Sequence, residues 1–225
     1  PRTLLMEDSW LVHSHNPDDA DGIYIHDAGS QDARIIGGVL GYTDDDGIDT
    51  LGPDLLVQGM IIRNTFDKGI SVNHGTVTAN WCLFVDNGTN SEDGTSSSVS
   101  AQASANQSTT VNLDHTTIVR SQQAGITDMG LEARWKYADQ YPNTITYNVT
   151  NSIIYATRPI QNDYDDPTEQ WYFPDNGSVI TLNTSYNNLF GPDVGWGRAG
   201  AGNVNADPLF VNKAGYDFHL QQTSP

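Results

Sequence analysis

The chain has 225 residues, and 10 Lys and Arg against 28 Asp and Glu give it a net charge of −18. All but four of the acidic residues are Asp, and Asp, Asn, Gly, Ser and Thr are typical of turns and strands, so the composition argues against a helical bundle. The charge also argues against nucleic acid or an anionic membrane as partner, because both favour basic surfaces, and it leaves a metal cation open.

Apolar residues occur only in short runs, and none approaches the roughly 18 residues of a membrane span, so we expect no membrane insertion. The single cysteine, Cys82, excludes an internal disulfide, and its apolar neighbours predict a buried, inert thiol. The chain starts at Pro1 and stops at Pro225, and these abrupt ends favour a piece of a longer protein.

A short Gly-Ile motif recurs along the chain. It starts at Gly22, Gly47 and Gly69, at intervals of 25 and 22 residues, and returns more weakly at Ser98 and Gly125. Two further series of short β-like segments interleave with it. The second series begins at Ala33, Asp54, Gly75, Thr109, Thr144 and Ser178, and the third at Val39, Met60, Leu83, Thr117, Ile153 and Leu189.

Three short β segments in each unit of roughly 20–35 residues predict one coil of a parallel β-solenoid. The alternation of Ile23, Tyr24 and Ile25 gives each strand one face for the core and one for solvent. A β-sandwich is the alternative, but its hairpin signals are confined to two Asn-Gly pairs within longer polar stretches. We therefore predict one all-β domain over residues 1–225, with loop insertions at 89–108 and 157–177.

The repeat alignment concentrates acidic residues on one corner of the first coils. Equivalent positions of successive coils stack about 4.8 Å apart, which brings five carboxylates close to Lys68: Asp21, Asp45, Asp46, Asp49 and Asp67. Carboxylates this close repel one another and must protonate, pair with a cation or bind a metal, and hard oxygen ligands suit Ca²⁺. The alternative is a solvated acidic corner in which the Asp residues serve turn geometry.

The repeat pattern resembles the right-handed, single-stranded parallel β-helix of pectate-lyase-like proteins. The closing stretch, Gly202 to Phe210 followed by Asp217-Phe218-His219-Leu220, resembles the last coil of many secreted bacterial β-helix proteins. This resemblance implies the fold and an extracellular location, whether secreted or surface-displayed. It does not choose a function, because the same fold carries lyases, hydrolases and inert modules.

The segment Asp45-Asp46-Gly47-Ile48-Asp49, with Asp21 one coil earlier, resembles the calcium site of the family 9 polysaccharide lyases. The resemblance implies that Asp21, Asp45, Asp46 and Asp49 are Ca²⁺ ligands and that Lys68 is the candidate base. In such an elimination the cation acidifies the proton beside a uronate carboxylate and the base removes it. Lys68 lies only one coil beyond the motif, closer than that family leads us to expect.

The same Asp residues also resemble those of the family 28 glycoside hydrolases, with Asp46 as candidate catalytic carboxyl, although Asp67-Lys68-Gly69 stands where that family has Gly-His-Gly. We thus expect a calcium-binding extracellular protein that acts on or binds a polysaccharide or cell-surface glycan. The alternatives are a hydrolase and a non-catalytic structural or adhesive repeat module. The scarcity of Lys and Arg favours a neutral glycan over a polyuronate, because polyuronate subsites usually need several cations.

Overall fold

The computed structural model describes residues 2–15, 20–26, 30–89, 97–103, 106–120, 129–135, 142–156, 158–162, 178–191 and 200–225. Within these residues the chain is all-β and nearly all of its strand pairing is parallel. The strands of the first coils are β1 Arg2–Ser14, β2 Ile23–His26, β3 Ser30–Thr43, β4 Ile48–Leu51, β5 Leu55–Gln58, β6 Ile61–Arg63, β7 Lys68–Asn73, β8 Gly75–Asn80 and β9 Leu83–Val85.

The later strands follow the same order. They are β10 Ser97–Ala103, β11 Ser108–Asp114, β12 Thr117–Val119, β13 Met129–Trp135, β14 Thr144–Thr150, β15 Ile153–Tyr155, β16 Arg158–Asn162, β17 Val179–Ser185, β18 Asn188–Phe190, β19 Phe210–Asn212 and β20 Asp217–Leu220. A 3-10 turn, Lys213–Gly215, joins β19 to β20.

The strands form three parallel stacks, and from β4 to β18 every third strand returns to the same stack. Stack I is the sheet β2-β4-β7-β10-β13-β16. Stack II begins with the first half of β3 and continues through β5, β8, β11, β14 and β17. Stack III begins with the second half of β3 and continues through β6, β9, β12, β15 and β18. Strand β3 serves both stacks because it bends at Gly37 and Gly38, which have positive φ angles. This topology is compatible with a β-helix-like solenoid.

Inward side chains of the three stacks form one continuous apolar core. In stack I the core column consists of Ile23, Ile48, Ile70, Val99 and Leu131, paired coil by coil. Tyr24, Asp49 and Ser71 pair in the neighbouring column, on the opposite face, as the alternation predicts. Cys82 also packs in the core, and burial raises the pKa of its thiol to about 11, which agrees with an inert cysteine.

The glycines of the Gly-Ile motif are required by close contact between coils. A Cβ atom on Gly22 would lie 2.7 Å from the carbonyl oxygen of Gly47, and one on Gly47 would lie 2.6 Å from that of Gly69. Real Cβ atoms do not approach backbone oxygens so closely. The absence of a side chain therefore lets the loops that enter stack I lie against one another, which positions the acidic residues beside them.

The later strands of stacks II and III lie at the predicted segments, whereas stack I departs from the predicted register at its fifth strand. The fifth strand of stack I is Met129–Trp135, in which Leu131 pairs with Val99. The motif predicted at Gly125 lies outside the described residues, and the equivalent Gly-Leu pair is five residues further along. A longer connection before β13 displaces the repeat, and spacing alone does not reveal such a displacement.

Both predicted insertions contain a strand of stack I. Strand β10 lies within residues 89–108 and extends to Ala103, further than the single short segment around Val99 predicts. Strand β16 occupies Arg158–Asn162, at the start of the insertion predicted for 157–177. Residues 163–177 lie outside the described part of the chain.

The closing stretch does not form a complete further coil in the described residues. Val204 forms one parallel bridge with Asn188, and β19 and β20 then pair as an antiparallel hairpin. Phe210 and Phe218 of this hairpin pack on stack III, against a cluster that includes Val85, Val119 and Tyr155. The apolar residues of the C-terminal stretch thus cover the outside of a sheet.

A candidate metal centre at the entrance to stack I

Three loops that lead into β2, β4 and β7 stack against one another through their backbones. The Gly47 N–H donates to the carbonyl of Lys68 at 2.8 Å, and the Asp67 N–H donates to the carbonyl of Asp45 at 3.3 Å. The Asp46 N–H donates to Oδ1 of Asp21 at 3.2 Å. These bonds place acidic side chains from three coils beside one another.

Three of the four predicted ligands converge. Carboxylate oxygens of Asp21, Asp45 and Asp46 all lie within 4.8 Å of one another. Asp46 is buried, whereas Asp21 and Asp45 are partly exposed, so the cluster reaches the surface. Asp49 lies two residues beyond Gly47 on β4 and acts on Asp46 through its charge, but it is not a member of this close group.

Asp46 is the electrostatic centre of the cluster. Burial raises the pKa of its carboxyl group to about 7, and the negative charges of Asp67, Asp49 and Asp21 add to the effect, while Lys68 opposes it. Its Oδ1 atom is buried and has no hydrogen-bond partner among the described residues. A buried carboxylate oxygen without a donor is unfavourable, and a cation at this position would satisfy it.

Lys68 faces the same cluster from the next coil. Its Nζ donates to Oδ2 of Asp67 and lies 3.5 Å from Oδ1 of Asp46, and the side chain is only 6% exposed. Burial works against its charge, but the attraction of Asp46 and Asp67 is larger in sum and raises the pKa of Lys68 above its ordinary value. A general base must be neutral before it accepts a proton, so this environment favours an ion pair over catalysis.

The aspartate group fits the requirements of Ca²⁺. Carboxylate oxygens are the ligands that Ca²⁺ prefers, at about 2.3–2.6 Å, so two ligands on opposite sides of one ion lie about 5 Å apart. The separations within 4.8 Å among Asp21, Asp45 and Asp46 are compatible with a shared ion. The partly exposed side would let water complete the six to eight ligands that Ca²⁺ takes.

Sequence reasoning missed Glu132 of β13. It pairs with Ser100 and so extends by one coil the column of equivalent positions formed by Asp49, Ser71 and Ser100. Glu132 is fully buried, accepts a hydrogen bond from the Ser97 hydroxyl at 3.4 Å, and contributes to the raised pKa of Lys68. The signal was the segment Gly130-Leu131-Glu132-Ala133, which repeats the Gly-Ile pattern. It was hidden because the earlier Gly125-Ile126 pair is the stronger match.

Fold and site define an all-β protein of stacked parallel sheets with a convergent aspartate cluster at one corner. Comparison of the chain with protein-family models, curated proteins and solved structures found no match. The part of the chain that the structure describes contains no helix long and apolar enough to cross a membrane.

Proposed function

We propose that this chain is a right-handed parallel β-helix that binds Ca²⁺ outside the cell and binds, or acts on, a polysaccharide or cell-surface glycan. The convergence of Asp21, Asp45 and Asp46 carries the calcium part of the proposal, together with Oδ1 of Asp46, which accepts no hydrogen bond among the described residues and has Lys68 Nζ 3.5 Å away. The parallel crossover connections support a right-handed coil, because such connections are nearly always right-handed in proteins.

Asp21, Asp45 and Asp46 hold the ion in this proposal, and Asp49 supports them by its charge or through water. Among the residues that the structure describes, five carboxyl groups and the ammonium group of Lys68 meet at this corner, so a divalent cation would relieve repulsion between the carboxylates. The ion thereby ties together loops of successive coils, and its binding stabilises the folded state.

A calcium titration of protein stripped with EDTA tests the proposal. We expect heat of binding by calorimetry and a melting temperature that falls in EDTA and recovers with Ca²⁺. Asp46→Asn removes both effects, whereas Asp54→Asn, at an exposed position outside the cluster, retains them. An unchanged melting temperature together with no binding heat contradicts the calcium assignment.

The glycan part of the proposal rests on the resemblance of Asp45-Asp46-Gly47-Ile48-Asp49 to the family 9 lyases. Lys68 is the candidate base in that comparison, and Asp46 is the candidate carboxyl in the comparison with hydrolases. The ion pair of Lys68 with Asp46 and Asp67 weighs against elimination. Binding of a glycan with Ca²⁺ as a rigidifying ion, as in a non-catalytic module, is therefore the preferred form of the proposal.

Two activity assays separate these forms. Elimination on a polyuronate creates an unsaturated product that absorbs ultraviolet light, and hydrolysis of any glycan releases new reducing ends. We expect the unsubstituted protein to give no more ultraviolet absorbance and no more reducing ends than the Lys68→Met and Asp46→Asn variants give. Turnover that both substitutions abolish while the fold is retained would replace the non-catalytic form with an enzymatic one.

A further inference from the structure

A second site lies on the other side of the molecule from stack I, between the corner joining stacks II and III and the C-terminal hairpin. It is a cleft of about 500 Å³, within the roughly 300–1,000 Å³ range of small-molecule sites. One wall comes from Trp81 and His115, at the same corner of two successive coils, and the other from Tyr216 to His219. No predicted site residue belongs to it.

The first wall carries a fixed aromatic surface. The Trp81 and His115 rings are stacked, with centroids 4.0 Å apart and an interplanar angle of 18°. The backbone N–H of Trp81 donates to the carbonyl of Asp114. Trp81 and His115 both have positive φ angles, 57° and 50°. Gly59, Asn151 and Tyr186 have the same left-handed conformation at the equivalent corner of their coils, so it belongs to the turn between stacks II and III and fixes the direction in which each side chain leaves the coil. Trp81 is nevertheless 61% exposed, so its ring is available to a ligand.

The opposite wall is equally ordered by its contacts. Tyr216 also has a positive φ, 63°, and its ring packs beneath the Arg63 guanidinium at 4.9 Å and against the edge of Phe218. Tyr216 is 44% exposed. Two aromatic side chains, separated by more than a hundred residues in sequence, thus line one cleft.

Polar groups on both walls are held in one orientation. His115 Nδ1 lies 2.8 Å from Oδ2 of Asp114, and His219 Nδ1 lies 2.7 Å from Oδ1 of Asp217. Because a carboxylate only accepts, each Nδ1 carries the hydrogen, and in the neutral ring Nε2 is an acceptor. Asp114 is itself fixed by Thr150 and Asn151 of the next coil, at 2.8 and 2.9 Å. Each Nε2 is therefore left to hydrogen-bond a hydroxyl group of a ligand.

We propose that this cleft binds an uncharged sugar ring of a glycan, stacked on Trp81 and Tyr216, with its hydroxyls directed to His115 and His219. A pyranose ring combines an apolar C–H face with a rim of hydroxyls, which matches aromatic walls with polar groups between them. Among the described residues that line the cleft, none is Lys or Arg. The nearby Arg63 guanidinium packs on the Tyr216 ring and does not line the cleft, so the lining favours an uncharged ring over a uronate or a nucleotide phosphate. The inference rests on the glycan part of the proposed function and assigns that part to a place in the molecule. It does not depend on the calcium part, because no Ca²⁺ takes part in binding at the cleft.

The test is a titration with neutral gluco-, xylo- and manno-hexaoses and, for comparison, a galacturonate hexamer, followed by calorimetry and tryptophan fluorescence. We expect at least one neutral hexaose to bind in preference to the galacturonate hexamer. Trp81→Ala and Tyr216→Ala should each weaken its binding about tenfold, the loss of one stacking partner. Trp10→Ala is the matched control, because Trp10 is 76% exposed on β1 and does not line the cleft.

All titrations are run in EDTA and in Ca²⁺, with Asp46→Asn in parallel, and far-ultraviolet circular dichroism confirms the fold of each variant. Equal binding under both conditions supports the proposal even if the calcium assignment fails, since that assignment is measured by melting temperature. The proposal is overturned if no neutral hexaose binds at millimolar concentration. It is also overturned if Trp10→Ala weakens binding as much as Trp81→Ala, if Tyr216→Ala leaves affinity unchanged, or if EDTA alone abolishes binding.

Discussion

Asp46 and Lys68 are charged residues with almost no access to solvent, on adjacent coils of stack I. A buried ion pair contributes little net stability, but removing one partner leaves an uncompensated buried charge. Here the carboxylates outnumber the ammonium group, so Lys68 is the partner whose loss costs more. Lys68 therefore has a structural role, which is to balance part of the negative charge of these carboxylates.

Lys68→Met should lower the free energy of unfolding in calcium-free solution, by at most about 3–5 kcal/mol, because the buried Asp46 must then take up a proton or remain an uncompensated charge, and the partly buried Asp67 loses its donor. Urea denaturation measures the difference. The control is Arg34→Met, which breaks the solvent-exposed pair with Asp32 and should cost less than about 1 kcal/mol. Equal costs for the two variants would contradict a buried ion pair at Lys68.

The raised pKa of Asp46 gives the protein a pH dependence of known sign. The folded pKa is about 7 and the ordinary value is 3.8, so between them the folded state binds more protons than the unfolded state. Stability from this group is present at low pH and is lost as pH rises through 7. In EDTA, we expect the free energy of unfolding, measured by urea denaturation at each pH, to decline between about pH 5 and pH 7.5, by no more than about 1.4 kcal/mol per pH unit.

The matched variant for the pH experiment is Asp46→Asn, which stays neutral and should show a flatter profile over the same range. Added Ca²⁺ should reverse the trend, because it competes with the proton for the same oxygens. Parallel declines in the two proteins would assign the pH dependence to other groups.

At the scale of the strands, the glycines at the entrance to stack I set the distance between coils. The Gly-Ile motif identified β2, β4 and β7 in the correct register, because its glycine is a steric requirement and its isoleucine enters the core. The motif did not identify β13, which follows β12 after nine residues, or β16, which follows β15 after only two. A steric requirement is visible in the sequence only where the intervals stay nearly constant.

Gly47→Ala should lower the free energy of unfolding by about 1–3 kcal/mol, because its Cβ would lie 2.6 Å from the Gly69 carbonyl oxygen and 2.9 Å from a methyl group of Leu40. It should also weaken Ca²⁺ binding in calorimetry, since Asp45 and Asp46 precede it directly. The control, Gly59→Asn, has no atoms within 4 Å of the new Cβ and has φ +64°, which Asn tolerates. A smaller loss for Gly47→Ala than for Gly59→Asn would contradict the close-contact argument.

At the scale of the whole molecule, the C-terminal hairpin joins distant parts of the chain. Phe210 contacts Tyr155 and Phe218, and Lys213 Nζ donates to the Arg120 carbonyl at 2.9 Å. Tyr216 reaches further, to Arg63. The hairpin thus covers part of stack III and completes the cleft at Trp81.

Phe210→Ala should lower the free energy of unfolding by about 3 kcal/mol, because a buried aromatic ring is removed from the cluster with Val85 and Val119. Val211→Ala is the control on the same strand, since Val211 is 51% exposed. Urea denaturation distinguishes them. A cost for Phe210→Ala no greater than that for Val211→Ala would show that the hairpin adds no stability to stack III.

The sequence by itself determined the three β segments of each coil, the inward and outward faces of the first strands, and the meeting of Asp21, Asp45 and Asp46. These features depend on alternation and on short, nearly regular intervals, which are properties of neighbouring residues. Only the tertiary structure decided the positions of β13 and β16 in stack I, the burial and charge of Lys68, and the position of the C-terminal hairpin. These depend on packing between segments far apart in the chain, where contacts such as that of Tyr216 with Arg63 leave no local pattern.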